Sequence, residues 1–221
     1  MQLLTSSIGR KILMAFTGLF LVLFVVIHLI GNSTIFGWLP GGINAYAQNL
    51  HAFPPGVWAF RAVLLAIIGV HMYFGIQLTV ENRDSRQQQY AVKTNRKANF
   101  AGENMIWTGM LLLIFIICHL LHFTAKVFPG MELVMDAAGT VDVFAMIVAA
   151  FRNIFVAVTY AGAMAMLLLH LSHGIQSLFQ TFGLSNDSYL PAIVRAGACV
   201  ALVLFLGYVS IPFAIVFTIL K

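Results

Sequence analysis

The 221 residues are 61% hydrophobic and 9% charged, where an ordinary globular domain is about half apolar and a quarter charged. That balance excludes a water-soluble domain, and the long unbroken apolar runs exclude the alternating pattern of a transmembrane barrel. The formal charge of +5 does not imply a nucleic-acid partner, because the basic residues fall mostly in short loops between apolar runs.

Along the chain, Arg10 and Lys11 precede an apolar run that reaches Ile30. The run is too long for a signal-peptide core and no small-residue cleavage site follows, so it is expected to stay as the first span. Apolar length places spans at about 12–31, 57–80, 104–126, 152–180 and 192–219. The expected fold is all-α: one domain, 1–221, forming an integral membrane bundle of five transmembrane helices.

Between the first two spans, Gly37–Pro55 carries Pro40, Gly41, Gly42, Pro54 and Pro55 and reads as an ordered external loop. Met131–Val148 is partly apolar but interrupted by Asp136 and Asp142, which suits an interfacial helix or loop better than a sixth crossing. Cys118 and Cys199 stand alone inside spans and read as small core residues; with no CxxC pair, no cysteine-built iron–sulfur or zinc centre is expected.

Arg10, Lys11, Arg83, Arg86, Lys93, Arg96, Lys97 and Arg195 all fall on one side of these spans. The other side has only Arg61, Lys126, Arg152 and Lys221 near span ends. An excess of positive loops on the inner face puts the N-terminus in the cytoplasm and the C-terminus outside.

Of seven histidines, all but His51 lie within spans, where an ionisable side chain is costly. Thr17-Gly18 precedes His28 by the spacing at which Thr108-Gly109 precedes His119. That threonine-to-histidine step of 11 residues returns to nearly the same helix face. His71 is followed by Gly75-Ile76-Gln77, and His170 by Gly174-Ile175-Gln176. The glycine one turn along leaves room for a bulky flat ligand on the histidine's own face. Spans one and two are therefore echoed by spans three and four.

Depth pairs the same residues. His28 and His119 lie near the outer ends of outward-running spans, and His71 and His170 lie in the inner halves of inward-running ones. Two histidines facing each other at equal depth are what a six-coordinate haem needs, so two stacked haems are expected. Zinc or copper would also accept imidazole, but two ligands per site fall short of four. Proton pumping is disfavoured because all seven acids, Glu81, Asp84, Glu103, Glu132, Asp136, Asp142 and Asp187, lie in loops or at span ends. His51 reads as a surface residue, and His122 as a haem-edge hydrogen-bonding or solvated group. His173 is the alternative to His170, which the repeat favours.

Ser7-Ile8-Gly9-Arg10-Lys11, Met14-Ala15-Phe16-Thr17-Gly18-Leu19-Phe20 and His28-Leu29-Ile30-Gly31-Asn32 resemble the cytochrome b membrane-anchor subunit of succinate dehydrogenases and fumarate reductases, in its bacterial five-helix, di-haem form. His170-Leu171-Ser172-His173-Gly174, Ser177, Phe179-Gln180-Thr181 and Gly183-Leu184 resemble its fourth helix, so the likeness spans essentially the whole chain.

The resemblance implies two haem b groups: a proximal one on His71 and His170, and a distal one on His28 and His119. It implies a subunit in the bacterial cytoplasmic membrane that exchanges electrons with a membrane quinone, menaquinone for this subtype, and carries no dicarboxylate chemistry itself. The implied partners are an FAD-containing flavoprotein subunit and an iron–sulfur subunit at the cytoplasmic face, in a complex that can itself dimerise; docking is expected on the charged loop from Glu81 to Glu103. Leu168 stands where some relatives carry a glutamate that moves protons, and the first external loop lacks the acid some carry near the quinol site, so no quinone ligand is assigned. A di-haem anchor of another dehydrogenase (nitrate reductase, formate dehydrogenase or hydrogenase) and a haem-free small transporter are the alternative readings.

Overall fold

The computed structural model describes residues 6–85, 100–128, 134–135 and 139–221. The first helix, α1 (Ser7–Ser33), starts earlier than apolarity alone suggests, because the Ser6 side chain caps it by accepting from the Gly9 amide at 3.0 Å. α1 runs into a tight 3-10 turn, Thr34–Phe36, closed by Gly37 at φ 78, a left-handed conformation that glycine adopts without strain. The expected loop Gly37–Pro55 contains a helix, α2 (Gly42–His51). Pro54 and Pro55 then open α3 (Pro54–Asp84), at positions where the missing amide hydrogens cost nothing.

A short α4 (Phe100–Glu103) leads into α5 (Met105–His119), whose last turn loosens into a π-helical segment, Leu120–Thr124. Asp142 caps α6 (Val143–Arg152) by accepting from Ala145, and also accepts from the Asn44 amide at 2.9 Å, which ties α6 to α2. Asn153 caps α7 (Ile154–Thr181), and α8 (Leu190–Val216) ends the fold with Pro212 buried inside it.

Among the described residues, five helical segments are long and apolar enough to cross a membrane: Ser7–Phe36, Pro54–Asp84, Met105–Thr124, Ile154–Thr181 and Leu190–Val216. The protein is thus an all-helical, multi-pass membrane bundle. Its exterior agrees, since Leu23, Ile27, Leu65, Ile114 and Val203 are all more than half exposed on the outside of the isolated chain. Lipid, not water, is the solvent that tolerates such a surface. Cys118 and Cys199 belong to that exterior, which corrects their reading as core residues.

Two clusters hold the bundle. One joins α1, α7 and α8 around Leu171, Ala201 and Leu204, with Val22, Val25, Leu29 and Leu168 packed on it. The other joins the 3-10 turn, α2, α6 and the adjoining ends of α7 and α8 around Ile35, Ile43, Ile147, Phe151 and Ile211. α6 is therefore packed into a cap at the end of the bundle where α1 finishes. That end is called the far face below, and the end where α1 begins the near face.

Candidate functional site

The two histidine pairs meet across the bundle. On the near-face side, the His71 ring of α3 and the His170 ring of α7 have centroids 6.5 Å apart and planes at 67°. On the far-face side, His28 of α1 and His119 of α5 have centroids 6.0 Å apart and planes at 85°. An imidazole nitrogen bonds a first-row metal at about 2.0 Å and lies roughly 1.2 Å from its ring centre, so two rings on opposite sides of one metal have centroids about 6.4 Å apart. Both pairs stand near that separation. Among the described residues no three His, Cys, Asp or Glu side chains gather at one point, so each centre offers two imidazoles.

The threonine–glycine repeats serve a different histidine from the one their spacing suggests. Thr17 lies 3.1 Å from Nδ1 of His71 on α3, and Thr108 lies 3.1 Å from Nδ1 of His170 on α7. Each threonine hydroxyl donates to its own helix: Thr17 to the Leu13 carbonyl at 2.8 Å, and Thr108 to the Met105 carbonyl at 3.1 Å. The hydroxyl oxygen then accepts the Nδ1–H of the imidazole. That fixes the tautomer and leaves the Nε2 lone pair as the donor atom for a metal.

The adjoining glycine makes room. A Cβ at Gly18 would stand 3.3 Å from Cε1 of His71, and one at Gly109 the same distance from Cε1 of His170. By contrast, Gly75 is covered by the Met14 methyl, where a Cβ would approach to 3.1 Å, and Gly174 borders open space. The glycines that seat the histidines are thus Gly18 and Gly109, on the facing helices.

The structure separates His170 from His173. His170 faces His71 and Thr108, whereas His173 Nδ1 is buried without a hydrogen-bond partner. The other buried unpartnered side-chain atoms among the described residues are Arg10 Nε and Gln77 Oε1. Arg10 pairs with Glu81 at 2.7 Å, and Gln77 donates to the same carboxylate, so the three form one polar knot at the near-face end of α3.

The far-face pair sits in an aromatic box. Phe24 stacks on His28 at 5.2 Å, and Phe115, Phe123 and Tyr160 surround His119. Tyr160 of α7 reaches both His119 at the end of α5 and His122 in the π-helical segment: its hydroxyl is 3.1 Å from Nδ1 of His122 and, more loosely, 3.4 Å from Nδ1 of His119. His122 is only 6% exposed, so it is a buried partner of Tyr160 and not a solvated group. No repeat or spacing in the sequence marks Tyr160.

No family model matches the chain, and no curated protein or solved structure matches it.

His51 is exposed, with Nδ1 on the Ala47 carbonyl and Arg61 at 3.4 Å from Nε2, away from both pairs. Leu168 packs on the core cluster of α1, α7 and α8. Of the basic residues expected on the docking loop, Arg86, Lys93, Arg96 and Lys97 lie outside the described residues, as do Glu132 and Asp136.

Proposed function

We propose that the chain is a di-haem cytochrome b membrane subunit, holding one haem b on His71 and His170 and a second on His28 and His119. The observation that carries this reading is the pair of ring separations, 6.5 and 6.0 Å, occurring at two levels of one bundle. Thr17 and His28 are 11 residues apart on α1, so the two levels are separated by about 16 Å along the helix. When bound, haem supplies reversible one-electron chemistry.

The rest is the work of the chain itself. Thr17 and Thr108 hold His71 and His170 in the tautomer that offers Nε2, and the aromatic box keeps water from His28 and His119. Arg10, with Nε–H unpartnered, offers a donor about two turns from Thr17, chemistry suited to a haem carboxylate.

From the resemblance in the sequence, the proposal extends to the parent complex: a succinate:quinone oxidoreductase or quinol:fumarate reductase of a bacterial inner membrane. In it, this subunit passes electrons between membrane menaquinone and the iron–sulfur and flavoprotein subunits. The near face would lie in the cytoplasm and the C-terminus in the periplasm.

The test is a haem count on chain purified in mild detergent, from pyridine-haemochrome spectra against protein concentration. Two b-type haems per chain are expected, one in His170→Ala, and two in His173→Ala. A folded preparation from cells supplied with ample haem that nevertheless carries none would sink the reading, and loss of haem from His173→Ala with retention in His170→Ala would reverse the ligand assignment.

A further inference from the structure

Tyr160 of α7 stands beside the point where α5 loosens into the π-helical segment. Its ring is held edge-on by Phe115 of α5 at 5.0 Å, Phe123 of the π-helical segment at 5.9 Å and Phe151 of α6 at 5.0 Å. Packing of that kind fixes where the phenol oxygen sits. Among the described residues, the hydrogen-bond partners of that oxygen are two imidazoles: Nδ1 of His122 at 3.1 Å and Nδ1 of His119 at 3.4 Å. π-helical turns occur mostly as single turns within α-helices, often at functional sites. This one, Leu120–Thr124, directly follows His119 and carries His122 into the protein interior.

The phenol has one proton for two nitrogens, so with neutral imidazoles the hydrogen bonds run in one of two orders. In the first, Nδ1–H of His119 donates to the phenol oxygen, the phenol donates to Nδ1 of His122, and the Nε2 lone pair of His119 is free for iron. In the second, His122 donates to the phenol, the phenol donates to Nδ1 of His119, and the proton of His119 sits on Nε2, where it blocks coordination. His122 permits the first order by accepting the phenol proton. The near-face ligands need no such third group, because the hydroxyl protons of Thr17 and Thr108 go to the Leu13 and Met105 carbonyls.

We infer that Tyr160 and His122 are positioning residues for the far-face ligand: together they hold His119 in the tautomer that offers Nε2, and the bond from His119 to the phenol raises the electron density of the ligand and favours ferric iron. The role rests on the di-haem reading and deepens it, since it gives one ligand of the far-face pair a support chemically different from the threonines of the near-face pair. Packing alone would make Tyr160 and His122 independent, whereas the shared proton couples them. Without His122, the acceptor left to the phenol is Nδ1 of His119, and a buried hydroxyl keeps such a bond because an unpaired one is costly. Tyr160 then turns from a support into a competitor for the ligand, and removing it as well relieves the loss.

The experiment uses the full chain in lipid nanodiscs, with haem titrated spectrally and midpoint potentials read from a redox titration; the far-face component is the one that His28→Ala removes. Tyr160→Phe should weaken the far-face site about tenfold, the low end for a group behind a metal ligand, because 3.4 Å is a loose bond. A tenfold loss borne by the ferric state alone raises the far-face midpoint by about 59 mV. His122→Leu should weaken the site further than Tyr160→Phe does, and the double variant should return to the Tyr160→Phe level. His122→Asn, whose Oδ1 still accepts the phenol proton, should stay near the unaltered chain, and the near-face component should not move in any of them. Far-face affinity and midpoint unchanged in Tyr160→Phe and His122→Leu overturn the roles. A double variant in which the two losses simply add overturns them too, since independent contacts behave that way. A chain that binds no haem at all sinks the di-haem reading and these roles with it, whereas two haems indifferent to the substitutions sink the roles and leave that reading standing.

Discussion

Thr17 and Thr108 decide which nitrogen His71 and His170 present to the middle of the bundle. Each oxygen stands 3.1 Å from an Nδ1, and its own proton is committed to a main-chain carbonyl. Replacing Thr17 by valine keeps the shape and removes the acceptor. His71 is then free to change tautomer or rotate, and groups behind a metal ligand are typically worth about 10- to 100-fold in affinity. Thr17→Val or Thr108→Val should therefore weaken haem binding at the near-face pair by about that factor in a spectral titration, leave the far-face pair untouched, and be rescued by serine; equal weakening of both pairs would contradict the assignment. The sequence makes the two Thr-Gly repeats visible but not their targets. Spacing along one helix tells which residues share a face, and Thr17 does share one with His28. Which neighbour that face meets at each level is set by packing, and at the level of Thr17 it is α3. Tyr160 was invisible for a related reason: the step that carries His71 onto His170 carries Arg61 onto Tyr160, so no echo marks it.

Among the elements, α7 deserves its central place because it contributes His170 and Tyr160 and packs along α8 over most of its length. Small residues permit that closeness, as is common between membrane helices. A Cβ at Gly197 would already stand 3.3 Å from Cβ of Ile175 and 3.6 Å from the Ser172 carbonyl, and Ala201, one turn on, is 1% exposed. Nothing there is a flexible tip able to swing aside. Gly197→Leu must push α8 off α7 and is expected to cost about 1–3 kcal/mol, the usual range for overpacking. Cys199→Leu, on the exposed side of the same helix, should leave the melting temperature in detergent unchanged. Equal melting temperatures for the two variants would refute the close α7–α8 contact. Span positions were readable because lipid demands about 20 apolar residues whatever the packing. The helix α2 was hidden because Pro40, Gly41, Pro54 and Pro55 punctuate its flanks and, from composition alone, make the whole stretch look like loop. The faces of Cys118 and Cys199 were unreadable because every face of such spans is apolar.

For the whole molecule, the two ends of the bundle differ in kind. The far face is closed by its own cap, where α2 and α6 pack together and Asn44 bonds both the Asp142 side chain and the Phe144 amide. The near face has charge instead. Arg10 is spent internally on Glu81, but Lys11, Arg83 and Arg195 are not in any ion pair among the described residues, and Arg86, Lys93, Arg96 and Lys97 follow Arg83 in the sequence between α3 and α4. A soluble redox partner that docks on this chain is therefore expected at the near face, through contacts with a strong Coulomb component. Neutralising Arg83, Arg86, Lys93, Arg96 and Lys97 together should release any such partner from membranes at physiological ionic strength. In the unaltered protein, raised salt should loosen the same contact, since screening shortens to about 3 Å at molar salt. Arg10 is left out of the set because its loss would strand Glu81 and disturb the knot beside Gln77. Subunits that stay bound to the neutralised chain, even at raised salt, would move the docking surface elsewhere, while haem content unchanged in the same membranes would show that the bundle itself had survived the substitutions.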